Sequence, residues 1–378
     1  MGVKKRFKNR ESGIELLRII AMLLIVLHHE VMHNALPVLD QELSVRKLTL
    51  QLFYFTPGKV GIALFFIISA WFVVDKTPSL RLSCRKVWIL ERELLFWSLC
   101  LGAVTLYKVP EERTIESLWK ILFPLSRNTW WYATSYAIFL FLSPFLVRGL
   151  RALGKKYHGQ CCLAMGFLWG VLTLIPNSNL EISLNSMGFI YVFVLIAYYK
   201  WYMRPFQTAT AWKMFLISIV VILLWNVIVS FATVGHSDRI YEYLLCLERE
   251  WSVLSLALSF GLFLLFCRLH FQSRIVNSCA ASTFGTYLIT EHYYVRGILW
   301  QQWFNLSNWY DTYSAPVILL IVFVIGIAVF VVTLILDKVR ALLFKLTIDR
   351  NKGHWFDVLW DVAERRFPIL KDKNLSFV

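Results

Sequence analysis

Long apolar runs joined by short polar connections dominate the chain. Ten of them approach the roughly 20 residues that a helix needs to cross about 30 Å of hydrocarbon. They fall near 14–33, 57–74, 87–107, 130–147, 161–176, 186–203, 212–232, 252–269, 280–298 and 315–336, the fifth short and the ninth unusually polar. The pattern predicts an all-α polytopic membrane protein with about ten transmembrane helices. An even number places both termini on one side, and the basic residues choose that side. With the N-terminus inside, 27 of the 39 Lys and Arg lie in inner segments and 9 in outer loops. Such a bias predicts cytoplasmic termini in a multi-pass cell (plasma or inner) membrane protein.

The first run departs from a plain anchor. It reads IELLRIIAMLLIVLHHEVMH, with Glu15, Arg18, His29 and His33 at offsets of 0, 3, 14 and 18. At about 100° per residue those positions share one helix face. Arg18 and His29 stand roughly 16 Å apart along the axis at 1.5 Å per residue. Ionisable groups within a span are costly and seldom face lipid, so they mark this helix as the place for chemistry.

Composition narrows the class further. The chain is 58% hydrophobic and 17% charged, away from the balance of soluble domains. Its net charge of +15 sits in short loops rather than in a basic domain, which argues against a nucleic-acid partner. Seven scattered cysteines form no CxxC pair and read as small apolar fillers. The basic N-terminus resembles a signal-peptide n-region. The apolar stretch behind it, however, is long, interrupted by ionisable residues and without a small-residue cleavage site. Gly2 does not make a myristoylation motif, because position six is Arg. Residues 1–336 read as one membrane domain and 337–378 as a basic, aromatic cytoplasmic tail. Part of the tail suits an interfacial helix on anionic lipid, and packing without a lipid role suits it equally.

Two chemistries compete for the first helix. His29-Glu30-Val31-Met32-His33 matches H-E-x-x-H, which can hold zinc through two imidazoles while the glutamate acts on water. That reading needs a third ligand; Glu291, an acidic residue in a later run, has no ligand motif around it, and no metal is expected. The other chemistry uses His29 as a general base on a hydroxyl, with Arg18 binding an anion or orienting the site. Glu15, three residues from Arg18, can pair with it. A structural polar network between helices remains the alternative to both.

The order Glu15, Arg18, ten residues, His29 resembles the signature of the integral-membrane acyltransferase family 3. That family includes O-acetyltransferases of bacterial surface polysaccharides and exopolysaccharides. Three further blocks follow in the family's order. Gly61 to Phe72, with Ser69-Ala70-Trp71, resembles the second span, which usually carries Ser-Gly. Trp130-Trp131-Tyr132 with Tyr136 and Pro144 resembles the tryptophan-aromatic span. Thr283 to Ile289 resembles the late Phe-Gly-x-Tyr-Leu-Ile block, and Val295-Arg296 continues it as in exopolysaccharide-type members. The usual His after that block is Thr290 here, with Glu291 and His292 behind it. The roles of His28, Thr290 and His292 stay open.

The resemblance implies transfer of an acyl group, most commonly acetyl, from cytoplasmic acyl-CoA to a carbohydrate hydroxyl. Acetyl-CoA would be a substrate, with no bound cofactor. His29 would be the essential histidine, Arg18 its partner and Glu15 the acid of the motif. Arg85 and Lys86 would meet the donor phosphates, which a cytoplasmic basic cluster also suits on general grounds. Ser69, Trp131, Tyr287 and Arg296 would line the substrate path. A polysaccharide-unit transporter or flippase is the competing class, although no internal repeat supports it.

Overall fold

The computed structural model describes residues 11–75, 79–176, 178, 180, 182, 185–234, 243, 249–348 and 353–371, and their regular structure is entirely helical. Helices α1 (Ser12–Met32), α2 (Val45–Val74), α3 (Leu80–Lys108), α4 (Ile115–Leu122) and α5 (Trp131–Met165) come first. Then follow α6 (Ser186–Tyr202), α7 (Thr208–Ala232) and α8 (Val253–Phe266). Four short helices come next: α9 (Arg274–Ala280), α10 (Thr283–Thr290), α11 (Tyr293–Gly297) and α12 (Ser307–Tyr310). The long α13 (Ala315–Leu346) and α14 (His354–Arg366) complete the series. The basic N-terminal segment Lys4 to Arg10, Gly2, Lys76 and Cys246 lie outside the described residues. The other six cysteines are free.

Among the described residues, four stretches are long and apolar enough to cross a membrane: Val45–Val74, Trp131–Leu174, Thr208–Ala232 and Ala315–Leu346. Their outer faces agree with that. Leu216, Leu224 and Phe231 on α7, and Leu320, Val324 and Val332 on α13, are all at least half exposed. So much uncovered apolar surface suits lipid rather than water.

Two of the apolar runs take a form that their hydropathy does not show. The runs at 130–147 and 161–176 belong to one element, α5, broken at Gly154 with φ 65° and ψ 177°. Glycine reaches that left-handed φ without a Cβ penalty. Beyond the break the chain returns along α6, where His158 Nε2 donates to the Val194 carbonyl at 3.0 Å. A π-helical turn, Gly166–Val171, follows. The run at 280–298 is not one continuous helix but α10, α11 and the connections around them. Its hydroxyls are buried at Ser282, Thr283, Thr286 and Thr290. Thr283 Oγ1 donates to the Ala280 carbonyl at 2.9 Å. Broken backbone of this kind is tolerated in a membrane only where protein covers it.

The chain forms two compact units. The first is Met1–Ile68, Phe206–Tyr287 and Asn305–Leu334; the second is Ser69–Pro205, Leu288–Phe304 and Ile335–Val378. In the first, Ser12 ties the start of α1 down. Its N–H donates to Phe271 O at 3.1 Å, and its Oγ donates to Asn277 Oδ1 at 3.0 Å. α2 presses against α1 at Gly58 and Gly61. A Cβ at those positions would fall 2.8 Å from His28 Cβ and 2.7 Å from Ile25 Cγ1. Leu27, Val31, Leu50, Ile318 and Val322 close an apolar core between α1, α2 and α13. Gln51 joins α2 to α7 by donating to Asn226 and to Ser230 Oγ, the latter at 2.7 Å.

In the second unit α3 packs against α5 and α4. Ser83 Oγ meets Ser143 Oγ at 3.4 Å, and Ser98 Oγ donates to Ile121 O at 2.8 Å. The last turns of α13 extend to Leu346, past the apolar run, because their charges find partners. Arg340 pairs with Asp337 at 2.7 Å and with Glu93 at 2.9 Å, and Trp97 Nε1 donates to Asp337 at 3.1 Å.

Candidate active site

α1 positions the ionisable residues of the first unit. Glu15 is 5% exposed and its carboxylate lies 3.7 Å from Arg18, the i,i+3 pair that the spacing allows. The Arg18 guanidinium sits 5.9 Å from the centroid of the Phe65 ring, within cation–π range. Phe65 in turn stacks on Phe284 at 6.5 Å, and Phe284 meets Tyr287 at 5.9 Å. The second and fourth sequence blocks therefore meet the first block at Arg18, through aromatic faces. Tyr287 itself is buried.

About three turns further along α1 lies a run of imidazoles. His28 and His29 have ring centroids 5.3 Å apart, and His29 and His33 5.2 Å. His28 is almost fully buried and its Nδ1 donates to the Phe53 carbonyl at 3.2 Å. It thereby fastens α1 to α2. His29 is also buried, at 7% exposure. Glu30 is wholly buried, and neither of its carboxyl oxygens finds a hydrogen-bond partner among the described residues. Its Oε2 faces the backbone of α13 at Gly326, where a Cβ would come within 3.0 Å.

Sequence reasoning missed a further pair in this unit. Lys59 Nζ lies 2.6 Å from Glu250 Oε1, and Glu250 is fully buried. Lys59 counted as an outer-loop charge, yet it lies inside α2, one residue after the Gly58 that carries the His28 ring. Its place within an apolar run was the available signal; nothing in the sequence could have named its partner, 191 residues away.

The second unit holds the other expected residues. Arg85 and Lys86 occupy the start of α3, half-buried, and Arg85 pairs with Asp357 of α14 at 3.4 Å. Trp131 opens α5 and packs on Phe189, with 6.3 Å between centroids. It stands roughly 18 Å along the helix from the Ser143 contact that marks the level of Ser83, so Trp131 and Arg85 do not share one subsite. The neighbouring Trp130 is the structural tryptophan: it is 1% exposed and donates to Leu288 O at 3.2 Å. Ser69 is half-buried at the start of this unit. Arg296 reaches Glu291 at 3.8 Å. His292 is buried, its ring 6.1 Å from that of Trp130.

Between α3 and α5 opens a cavity of about 600 Å³, lined by Cys84, Trp88, Glu91, Thr134 and Phe141 and rimmed by Phe356 of α14. Its walls are mostly apolar, with hydroxyls at Ser126 and Thr134 and one ionisable group, Glu91, whose Oε2 is buried without a hydrogen-bond partner among the described residues. Neither Glu91 nor the cavity was legible in the sequence, because α3 and α5 meet only in the fold.

Among the described residues the protein is helical, and its first helix holds an acid, a guanidinium and imidazoles. Comparison with known families gives the chain its class. Residues 11–336 match a family described as an acyltransferase domain. The chain belongs to the integral-membrane acyltransferase family 3, and its activity is membrane acyl transfer. Comparison with curated proteins and with solved structures gives no match.

Proposed function

We propose that the protein is an acyl-CoA-dependent O-acyltransferase. It moves an acyl group, in our reading acetyl, onto a hydroxyl of a cell-surface polysaccharide or lipid-linked glycan. It would cross the inner membrane about ten times with both termini cytoplasmic. The observation that carries the reading is a buried His29 on the helix that holds the Glu15–Arg18 pair, in a chain of this family.

His29 acts as general base: an imidazole nitrogen accepts the proton of the acceptor hydroxyl while that oxygen attacks the thioester carbonyl. The C–S bond then breaks, and the departing thiolate of coenzyme A recovers the proton from the imidazolium. Arg18, held by Glu15 and by Phe65, supplies positive charge on the donor side. Arg85 and Lys86 receive the donor phosphates. Tyr287 and Trp131 offer aromatic faces to the sugar or the pantetheine arm, and Ser69 and Arg296 offer polar contacts along the path.

The test is surface-glycan O-acetylation in cells that lack the protein, complemented with wild type or with His29→Ala at matched expression. Wild type is expected to restore the esters and His29→Ala to leave them absent. Full restoration by His29→Ala would sink the catalytic assignment. Glycan retained inside the cell with its acetylation intact would mean transport instead, and stoichiometric zinc in the purified protein would point to the hydrolytic reading of His29 to His33.

A further inference from the structure

The family match ends at residue 336, yet the chain beyond it builds a contact with residues expected to hold the donor. Two carboxylates of α14 lie on the basic start of α3. Asp357 reaches Arg81 at 3.3 Å and Arg85 at 3.4 Å, and Asp361 reaches Arg81 at 2.9 Å. The backbone is shaped for this contact. Gly353, just before α14, takes φ 82°, and a Cβ there would fall 2.6 Å from Arg85 Nη2 and 2.9 Å from its Cζ. Only glycine gives the guanidinium that space while holding a left-handed φ. Phe356 is 7% exposed, 6.2 Å from the ring of Trp88, and forms the rim of the cavity between α3 and α5. The same helix leaves Trp355, Leu359 and Val362, spaced i, i+4 and i+7, more than half exposed as an apolar stripe.

We propose that α14 is a built-in competitor for the phosphates of the acyl donor. Its Asp357 and Asp361 occupy the Arg81–Arg85 cluster in the resting protein and yield it when a phosphate-rich ligand arrives. The inference rests on the assignment of Arg85 to donor binding. A guanidinium pair that accepts two carboxylates offers the same planar donors to phosphate oxygens, which carry more charge. The ion pairs are individually weak because all four side chains are 32–49% exposed. A weak clamp is what a displaceable occupant requires. The apolar stripe suits the bilayer interface, so a released α14 remains nearby and recaptures the site once the ligand leaves. Donor affinity thus depends on the acidity of a tail that the family match does not include.

The experiment measures coenzyme A binding to full-length protein in phosphatidylcholine nanodiscs, for wild type and for Asp357→Asn/Asp361→Asn. Hydrogen exchange across residues 354–366 is followed in both. The double variant keeps shape and removes only charge, and unchanged exchange in α3 and α5 verifies its fold. The proposal expects a Kd about three- to tenfold lower in the variant, from the loss of a few exposed ion pairs. It also expects coenzyme A to speed exchange of α14 in wild type. Equal affinity in the two proteins overturns the competitor role while leaving the donor site standing. Binding to neither overturns the donor assignment and this inference together. In a third arm, phosphatidylglycerol replaces part of the phosphatidylcholine. If that lipid speeds exchange of α14 and coenzyme A does not, the natural ligand is a lipid headgroup and the donor proposal falls.

Discussion

Glu250 is fully buried and its carboxylate meets Lys59 at 2.6 Å, so the pair's energetics differ from those of a surface bridge. Taking away Lys59 removes the 2.6 Å partner of a fully buried carboxylate, a loss of the kind that costs about 3–5 kcal/mol, whereas taking away both charges is milder. Lys59→Met should therefore lower the thermal midpoint of the detergent-solubilised protein sharply, and Lys59→Met/Glu250→Gln should recover most of the loss. Simple additivity in that double-mutant cycle would show that the two do not act as a unit. Residues readable in advance differ from this pair in one respect. Glu15, Arg18 and His29 interrupt an apolar run as Lys59 does, but Glu15 and Arg18 are close enough in sequence to pair on one helix, whereas Glu250 lies 191 residues from Lys59.

At the scale of elements, single glycines decide what hydropathy leaves open. The runs at 130–147 and 161–176 look like two independent spans, but they are two limbs of α5 joined at Gly154 with φ 65°. With φ 65° and ψ 177° it lies in a region almost confined to glycine, which an L-residue enters at a cost on the order of 1–3 kcal/mol. Gly154→Ala is accordingly expected to destabilise the protein by that amount in thermal unfolding. No neighbouring atom lies within 4 Å of a Cβ at this position, so the cost is conformational and not steric. An unchanged midpoint would mean that the break does not need that φ. The run at 280–298 makes the complementary point. Its serine and threonine content was visible, but the division into α10 and α11 follows from burial of those hydroxyls among other helices.

For the whole molecule, the excess of Lys and Arg in alternate connections yields a definite topology test. Reporter insertions before residue 11 and within 337–378 should both report the cytoplasmic side, and insertions at 34–44 and 109–114 the outer side. Two termini on opposite sides would remove a span from the count. Among the described residues, four stretches are long and apolar enough to cross. The remaining spans of the ten-helix reading depend on helices such as α3, whose charges are matched within the fold, Glu93 by Arg340 among them.

The sequence by itself determined the all-helical class, the membrane setting, the family and the helix that bears the Glu15, Arg18 and His29 series. The class, the setting and that helix follow from local periodicity and from ionisable residues set in apolar surroundings, and the family from the resemblance of four ordered sequence blocks. Tertiary structure alone decided that His28 is bound to the α2 backbone, that Glu250 matches Lys59, that α3 and α5 enclose a cavity at Glu91, and that Asp357 sits on Arg85. Each of these joins residues far apart along the chain. Hydropathy reports the cost of placing a charge in lipid, but only packing shows which distant group offsets it.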